Sequence, residues 1–400
     1  MCLTAADSYR QPGGRLLIKV HKKVPSHRLV TVGTRWVTNP LAVFVSAYLQ
    51  QIVDESVSVA KDTANVVDEL ERIEHQLSER HRIDSFDVEK LYPSLDQEKV
   101  LQSVRLVLVS FFSRRRVPLW GLLVEIICEF VNIILSSQVI VATFIVEGKR
   151  EVFKQDIGIT TGLACGTQLA NVHLQALDLF VKSSLAGILF FQRFVDDALV
   201  IHEYESVDMV LQQFNMWQEG IVVTHEDDEA YNHTTFLHLD IVISAGSIVY
   251  KTHRKNTNTY QYLPATSNHS SSTFKAIIHT ELFRLLRTNK FINDYEWQVR
   301  FFRSKFLARG HSVKTFDQIA LKYSFACKAQ ILSGAKKAEV VQCIVPFKIC
   351  YFQGLRSLGI GSILRKHSEL LGQDLQAMLN PVLCNTSSQN LFRLRYARFR

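Results

Sequence analysis

The sequence predicts an α+β fold in which an antiparallel sheet packs on helices and a basic helical region follows. Apolar runs of strand length come in pairs around polar turns and alternate with amphipathic helices up to about residue 254. Beyond about Tyr260 the chain changes to helical patterns rich in lysine and arginine. A chain of 400 residues with 47% hydrophobic content can bury a large core under such a sheet.

The first predicted elements are two strands and two helices. Arg15 to Val32 has the pattern of two short strands around a basic turn, in which Pro25 prevents a helix. Pro40 suits a first helical turn, and apolar residues then recur with helical spacing. Val59 to Leu77 predicts a second, amphipathic helix.

The next predicted elements are a strand and a helix. His81 to Val88 has a strand pattern, and Pro93 blocks regular hydrogen bonding soon after it. Ser94 to Asp96 offers a helix cap. The helix that follows places apolar residues on one face: Val100, Leu101, Val104, Leu108 and Phe111.

The most apolar stretch, Val117 to Val146, raises the question of a membrane span. Glu125, Glu129 and Asn132 interrupt it, and charges inside a membrane are costly. We therefore predict a buried helix followed by a strand, with the break near Ser136-Ser137, and no membrane partner.

The remaining elements of the sheet region follow from alternating or continuous apolar runs and from turn residues. They are a hairpin, Val139 to Val146 and Glu151 to Gln155 around Glu147-Gly148; a helix, Gly166 to Ser184; two strands, Ile188 to Phe194 and Ala198 to Ile201; a helix, Ser206 to Glu219; and a strand pair, Thr235 to Ser244 and Ile248 to His253.

Charge and cysteine content restrict the partners and the compartment. Lysine plus arginine is 46 and aspartate plus glutamate is 38, so the net charge of +8 favours polyanionic partners. The seven cysteines are scattered and lack the close pairs that structural zinc requires. Together with an N-terminus that lacks the pattern of a secretory signal, this predicts an intracellular protein with reduced thiols.

Three aspartates are the candidate catalytic residues. Asp196-Asp197 joins two apolar strands, whereas the second acidic pair, Asp227-Asp228, lies in a polar run typical of a solvated loop. Asp87 also ends a strand, and neighbouring antiparallel strands can bring it to the same edge of a sheet. Two-metal phosphoryl transfer needs that geometry and hard oxygen ligands. The alternative for Asp196-Asp197 considered alone is an ordinary acidic turn.

Several ordered motifs resemble those of the reverse transcriptases of Penelope-like retroelements, which are relatives of telomerase. The aspartate motifs are Phe86–Ser94 and Arg193–Asp197, with Phe194 in the aromatic position of the second. The resemblance runs from about Leu16 to the C-terminus. Its other motifs are Leu17–Lys22 with Arg28–Val30, Gln155–Asn171, Phe236–Asp240 and Arg254–Leu263.

The resemblance implies a right-hand polymerase with an antiparallel palm sheet packed on helices. Residues 1–80 would form fingers that are short at the N-terminus, residues 81–254 the palm, and residues 255–400 a helical basic thumb and C-terminal extension. The implied activity is RNA-directed DNA synthesis from dNTPs, with an RNA template, a DNA primer and an RNA/DNA hybrid as partners. The implied location is the nucleus.

The resemblance also implies roles for individual residues. Asp87 and Asp196, with the Val88 carbonyl, would bind two Mg²⁺ ions, and Asp197 would support the site. Tyr92 would block a ribose 2′-hydroxyl; its alternative is a packed core tyrosine. The other implied nucleotide-binding residues are Lys19, Lys22, Arg28, Gln155 and Gly162. The alternative for the three cations is an ordinary basic turn. The alternative for the glycines of the Gln155–Asn171 motif is that they are plain turn residues.

Two other functions remain open from the sequence. Leu163–Thr167 stands where the family has a small-residue and proline run, and the fingers are expected to be short, so a catalytically impaired retroelement fragment that only binds RNA or hybrid is the main alternative. A telomerase-type polymerase with its own templating RNA would need a dedicated RNA-binding domain, which the sequence does not indicate.

Overall fold

The computed structural model describes residues 12–19, 26–33, 36–115, 118–144, 149–204, 206–225, 232–255, 257–334, 343–350 and 379–386. The chain divides into two compact units, Met1–Thr257 and Asn258–Arg400. The predicted turn at Glu147-Gly148 and the acidic pair Asp227-Asp228 lie outside the described residues.

The described part of the first unit alternates strands and helices. The strands are β1 (Gly13–Lys19), β2 (Ser26–Val32), β3 (Arg82–Val88), β4 (Val139–Phe144), β5 (Lys149–Lys154), β6 (Ile188–Phe194), β7 (Asp197–His202), β8 (Val223–His225), β9 (His233–Phe236), β10 (Leu239–Ser244) and β11 (Ser247–Thr252). The helices are α1 (Asn39–Glu55), α2 (Thr63–Ile73), α3 (Leu91–Ser94), α4 (Gln97–Arg115), α5 (Trp120–Ser136), α6 (Gly166–Ser184) and α7 (Val207–Met216).

The central sheet is antiparallel and has the strand order β6-β7-β3-β8. It is buried on both faces because its strands alternate between two apolar cores. On β7, Ala198 and Val200 join the core that also contains residues of α1, α4, α5 and α6. Leu199 and Ile201 join the core of α2 and the β9–β11 sheet. Burial on both faces leaves the strand ends as the places where polar side chains can reach solvent.

The second four-stranded sheet has the order β2-β1-β4-β5, with a single parallel pairing between Gly13 and Val141. β1 and β2 therefore share a sheet with β4 and β5. Leu16, Leu17 and Phe153 are exposed apolar side chains of this sheet.

The helix-then-strand prediction for the apolar stretch is confirmed. α5 ends at Ser136 and β4 begins at Val139. The Ser137 amide donates to the Ile133 carbonyl and ends the helix. Among the described helices, none combines the length and apolar character that crossing a membrane requires.

Two predicted boundaries are wrong. The second helix begins at Thr63 instead of Val59, because the Asp62 side chain caps it and residues 58–60 pair with Arg193 instead. The strand predicted over Thr235 to Ser244 is two strands, β9 and β10, separated by Leu237 at a φ of 54°. β8 was not predicted; it has only three residues.

The second unit contains four helices in its described part, followed by two strands. They are α8 (Ser271–Arg287), α9 (Ile292–Ala308), α10 (Val313–Ala320), α11 (Lys328–Gly334), β12 (Cys343–Cys350) and β13 (Leu379–Thr386). Phe302, Phe306 and Phe316 are fully buried in its core. β12 and β13 pair in parallel, so this part of the predicted thumb and C-terminal extension contains strands. Apolar and β-branched residues such as Ile344 and Val345 favour strands there.

The prediction of reduced, mostly buried thiols can be compared with the three cysteines whose side chains the structure describes. Cys128, Cys165 and Cys327 are free, and the first two are buried. Burial raises the pKa of the Cys165 thiol to about 12, so this group stays protonated and unreactive near neutral pH.

Candidate active site

The three predicted carboxylates lie together at one end of the central sheet. Asp87 pairs with Asp197 across β3 and β7, and Asp196 lies in the turn between β6 and β7. One carboxylate oxygen from each lies within 4.8 Å of the other two. The Val88 amide donates to the Asp196 carbonyl at 3.0 Å and ties the turn to β3.

The arrangement fits divalent cations. All three carboxylates are partly buried, and Mg²⁺ prefers such hard oxygen ligands. Three carboxylates at this separation repel one another, and a cation between them removes that repulsion. In the part of the chain that the structure describes, no other group of three histidine, cysteine or acidic residues has comparable geometry. The ligand role of the Val88 carbonyl stays a prediction.

The turn that presents Asp196 has an unusual backbone. Val195 has a φ of 60°, and Phe194 and Asp197 close the hairpin on either side of the two turn residues. A positive φ at the first turn position alone is the pattern of a type II′ turn, which usually has glycine there. Valine is β-branched, so this conformation is strained and must be held by its surroundings.

Arg193 supplies part of that support, and the sequence reasoning missed its role. Its side chain is fully buried and donates to the Val195 carbonyl at 2.8 Å. It also donates to Asp178 and Asn171 on α6. The signal in the sequence was an arginine inside an otherwise apolar strand, since a buried arginine needs several acceptors.

Tyr92 lies on α3, five residues after Asp87, and is partly buried against the main core. Its hydroxyl is 3.1 Å from the Thr167 hydroxyl near the start of α6. The Tyr92 carbonyl accepts from the Ile159 amide at 2.8 Å. Tyr92 therefore connects the strand that bears Asp87 with the glycine-containing loop.

The glycine-containing loop packs tightly against two other parts of the chain. A Cβ on Gly158 would lie 2.8 Å from the Tyr92 and Pro93 backbone, and its φ of 79° also favours glycine. A Cβ on Gly162 would lie 1.6 Å from the Thr31 carbonyl oxygen on β2. The close contact with Thr31 therefore explains why residue 162 is glycine without any ligand. Its contact with a nucleotide stays a prediction.

Gln155 anchors the same loop. Its side chain accepts from the Thr160 hydroxyl at 3.0 Å and donates to the Ile157 carbonyl at 3.1 Å. Gln97 donates to the carbonyls of Gln155 and Gly158. These bonds organise the loop from within, and binding of a nucleotide by Gln155 stays a prediction.

The predicted cations of the first hairpin are described only in part. Lys19 pairs with Ser26, and Arg28 pairs with Leu17, in the β1–β2 ladder. The side chains of Lys19 and Arg28, and the whole of Lys22, lie outside the described residues. β2 contacts the glycine-containing loop through the bond from the Thr31 amide to the Thr161 hydroxyl, at 3.3 Å.

The helices of the second unit carry cations beside aromatic rings. On α9, Trp297 and Phe301 stack at 5.5 Å, and the Lys305 ammonium lies 4.9 Å from the Phe301 ring. Trp297 is 54% exposed. Other cations, such as Arg303 paired with Asp317, are held in ion pairs on the surface of this unit.

Comparison with known proteins places the fold. No protein-family model matches the chain, and no curated protein matches it. Among solved structures, the chain is similar to telomerase from Candida albicans in complex with a fragment of telomeric RNA, with a TM-score of 0.53 and 12% identity over 82% of this chain and 61% of that chain.

Two further solved structures are similar at a lower level. Apo telomerase from Candida tropicalis gives a TM-score of 0.46 and 13% identity over 94% of this chain and 70% of that chain. The RNA-dependent RNA polymerase of a human picorbirnavirus gives a TM-score of 0.47 and 11% identity over 78% of this chain and 60% of that chain.

The likeness to the Candida albicans structure confirms the predicted fold class. The chain has the mixed α+β architecture of a right-hand polymerase, with antiparallel sheets packed on helices. It spans 61% of the length of that telomerase chain. At this identity the likeness concerns the fold, and the activity has to be argued from the site.

Proposed function

We propose that the chain is a nucleic-acid polymerase, and more narrowly an RNA-directed DNA polymerase that extends a primer 3′-hydroxyl with dNTPs. One observation carries the proposal: Asp87, Asp196 and Asp197 meet at the ends of adjacent strands within 4.8 Å, on a right-hand polymerase fold. Neither feature is sufficient alone, because acidic clusters are common and folds host many functions.

Asp87 and Asp196 would hold two Mg²⁺ ions, with the Val88 carbonyl as a further ligand. Bound there, the ions would lower the pKa of the primer hydroxyl and neutralise charge on the triphosphate and the leaving pyrophosphate. Asp197 belongs to the same cluster and adds negative charge beside the two ligands. The protein's own contribution is to keep three mutually repelling carboxylates together at one end of the central sheet.

The narrower assignment to Penelope-like reverse transcriptases rests on the order of the motifs along the chain. The proposed partners are an RNA template, a DNA primer, their hybrid and dNTPs. The cations of the second unit are suited to phosphates, because lysine and arginine bind a duplex backbone without reading its sequence. The triphosphate contacts of Lys19, Lys22 and Arg28, and a nuclear location of the protein, belong to the same proposal.

Primer extension on an RNA template with Mg²⁺ and dNTPs tests the proposal. The unaltered protein should extend the primer, and Asp196→Asn should abolish extension. Asp227→Asn is the matched control, because it makes the same change in the chain's other Asp-Asp pair. Extension that survives Asp196→Asn would contradict the assignment of the site. A soluble protein that binds hybrid without extending it would favour the catalytically impaired fragment.

The preference for deoxynucleotides is proposed to depend on the Tyr92 ring. Tyr92→Val should raise the incorporation of ribonucleotides relative to dNTPs. Tyr92→Phe keeps the ring and removes only the hydroxyl that lies beside Thr167, so its sugar selectivity should stay near that of the unaltered protein. Equal selectivity in all three proteins would remove Tyr92 from this role.

A further inference from the structure

Arg193 is a fully buried cation whose donors are all used. Its guanidinium donates to both carboxylate oxygens of Asp178, at 2.8 and 3.1 Å. It donates to the side chain of Asn171 at 2.8 Å and to the Asn171 carbonyl at 3.4 Å. The fifth bond goes to the Val195 carbonyl at 2.8 Å. A guanidinium has five N–H donors, so every one has an acceptor.

The partners of Arg193 tie three parts of the first unit together. Asp178 is also buried and accepts from the Ser58 hydroxyl at 2.9 Å. The Arg193 backbone donates to the Ser58 carbonyl at 2.7 Å and accepts from the Ala60 amide at 2.9 Å. A buried charge is tolerated only when it is paired and hydrogen-bonded, and this network meets both conditions.

Only one bond of the guanidinium leaves α6, and it reaches the strained turn. The carbonyl that it holds belongs to Val195, the residue with a φ of 60° that directly precedes Asp196. The β10–β11 hairpin offers a contrast, since its tip is Ala245-Gly246, both at positive φ. Positive φ at both positions is the pattern of a type I′ turn, a common hairpin solution. Leu237 has a similar φ of 54° in the β9–β10 turn, so a positive φ alone does not mark a site. The Val195 turn is marked by the combination of this φ, the bond from a buried guanidinium and the adjacent Asp196.

We propose that Arg193 is a positioning residue for the metal-binding carboxylates. By holding the Val195 carbonyl, it keeps the β6–β7 turn in the conformation that brings Asp196 and Asp197 to Asp87. The inference rests on the proposed function of the site. The competing explanation is that Arg193 only stabilises the interior, in which case its loss would affect folding and leave metal affinity unchanged.

The test needs a variant that loses the contact to the turn without leaving a buried charge. Arg193→Met combined with Asp178→Leu removes both charges, and hydrophobic replacement of a buried ion pair is often tolerated. Val195→Gly, added to this double variant, removes the backbone strain, because glycine adopts positive φ freely. Leu49→Ala is the control, since it opens a cavity in the same core from a residue on α1.

Mn²⁺ binding, followed by electron paramagnetic resonance, is the readout that does not depend on catalysis. Binding by the unaltered protein should be lost in Asp196→Asn. The double variant should bind Mn²⁺ about 10- to 100-fold more weakly, as residues that orient metal ligands commonly do when replaced. Val195→Gly should restore most of that affinity, and Leu49→Ala should bind Mn²⁺ like the unaltered protein.

Several results would overturn the inference. They are unchanged Mn²⁺ affinity in a folded double variant, failure of Val195→Gly to restore affinity, an equal loss in Leu49→Ala, and Mn²⁺ binding that does not depend on Asp196. If the double variant does not fold, Arg193→Lys replaces it, with the same expected loss and rescue. A protein that shows the expected Mn²⁺ pattern but extends no primer would contradict only the proposed function.

Discussion

Asp84 and Asp87 lie three residues apart on β3 and have opposite electrostatic surroundings. Asp84 lies between two histidines, with its carboxylate 2.9 Å from His202 Nε2 and 2.8 Å from His225 Nε2. Asp87 lies among the carboxylates of Asp196 and Asp197. Side chains three apart on a strand point to opposite faces, so one strand presents two different acidic environments.

Under the proposed function, the difference separates an aspartate that serves the fold from one that binds a metal ion. The His202 Nδ1 atom accepts from the Tyr204 amide, so its Nε2 carries the hydrogen that is donated to Asp84. Asp84 thereby connects β3 to both neighbouring strands with partners from the chain itself. The Asp87 cluster gathers three carboxylates, and a bound cation would remove the repulsion among them.

The largest expected difference concerns activity. Asp87→Asn should lower the rate of primer extension by about 10³-fold or more, because the loss of a metal ligand removes several kcal/mol of transition-state stabilisation. Asp84→Asn makes the same substitution on the same strand, and it should retain most of the rate at a temperature where it stays folded. Steady-state extension assays measure both. Equal losses in the two variants would show that Asp87 acts through the fold.

The next effect concerns stabilisation by the metal. A ligand that binds only the folded protein at 100 times its Kd raises the free energy of unfolding by about 2.7 kcal/mol. The unaltered protein and Asp84→Asn should both gain this stability when Mn²⁺ is added, and Asp87→Asn should gain little. Thermal unfolding with and without Mn²⁺ provides the measurement. A full gain in Asp87→Asn would place the ion elsewhere.

In the absence of metal, Asp84→Asn should be the more damaging of the two substitutions, because the measured quantity is then the stability of the fold. Asp84→Asn weakens two charge-assisted hydrogen bonds, so it should lower the free energy of unfolding by about 2 kcal/mol. Asp87→Asn relieves part of the repulsion among three clustered carboxylates, so it should cost less stability in EDTA than Asp84→Asn does. Urea unfolding in EDTA compares them. The comparison fails if Asp87→Asn is the less stable of the two.

The sequence correctly predicted several features that depend on a local pattern of residues. α6 has the predicted bounds, Gly166–Ser184, and the break after Ser136 is confirmed, because periodicity and polar residues mark both. The aspartate cluster was also predicted, since each carboxylate follows or joins an apolar strand. The helix and the break need only a short window of sequence, whereas the meeting of Asp87 with Asp196 was expected from the pairing of neighbouring antiparallel strands and the order of the motifs.

What sequence reasoning missed depends on contacts between distant segments. The acceptors of Arg193 lie 15 and 22 positions away, on a helix whose apolar pattern gives no sign of them. The close approach of Gly162 to Thr31 joins the loop to β2. The break at Leu237 is a backbone conformation that the apolar pattern conceals. In each case the structure depends on packing between segments that are distant in the sequence.

The smallest expected effect is the pH dependence of the Asp84 contribution. Burial by itself would raise the pKa of Asp84, but the hydrogen bonds with His202 and His225 outweigh it, and the pKa lies below its ordinary value of 3.8. A carboxyl with a lowered pKa stabilises the folded protein above the unfolded value and loses that contribution as pH falls through the folded value.

The difference in free energy of unfolding between the unaltered protein and Asp84→Asn should therefore be fully present above pH 3.8 and shrink below it. Urea unfolding in EDTA at several pH values measures this difference. A difference that already shrinks well above pH 3.8 would mean that the folded protein holds Asp84 with a raised pKa. The two histidines would then not stabilise its charge.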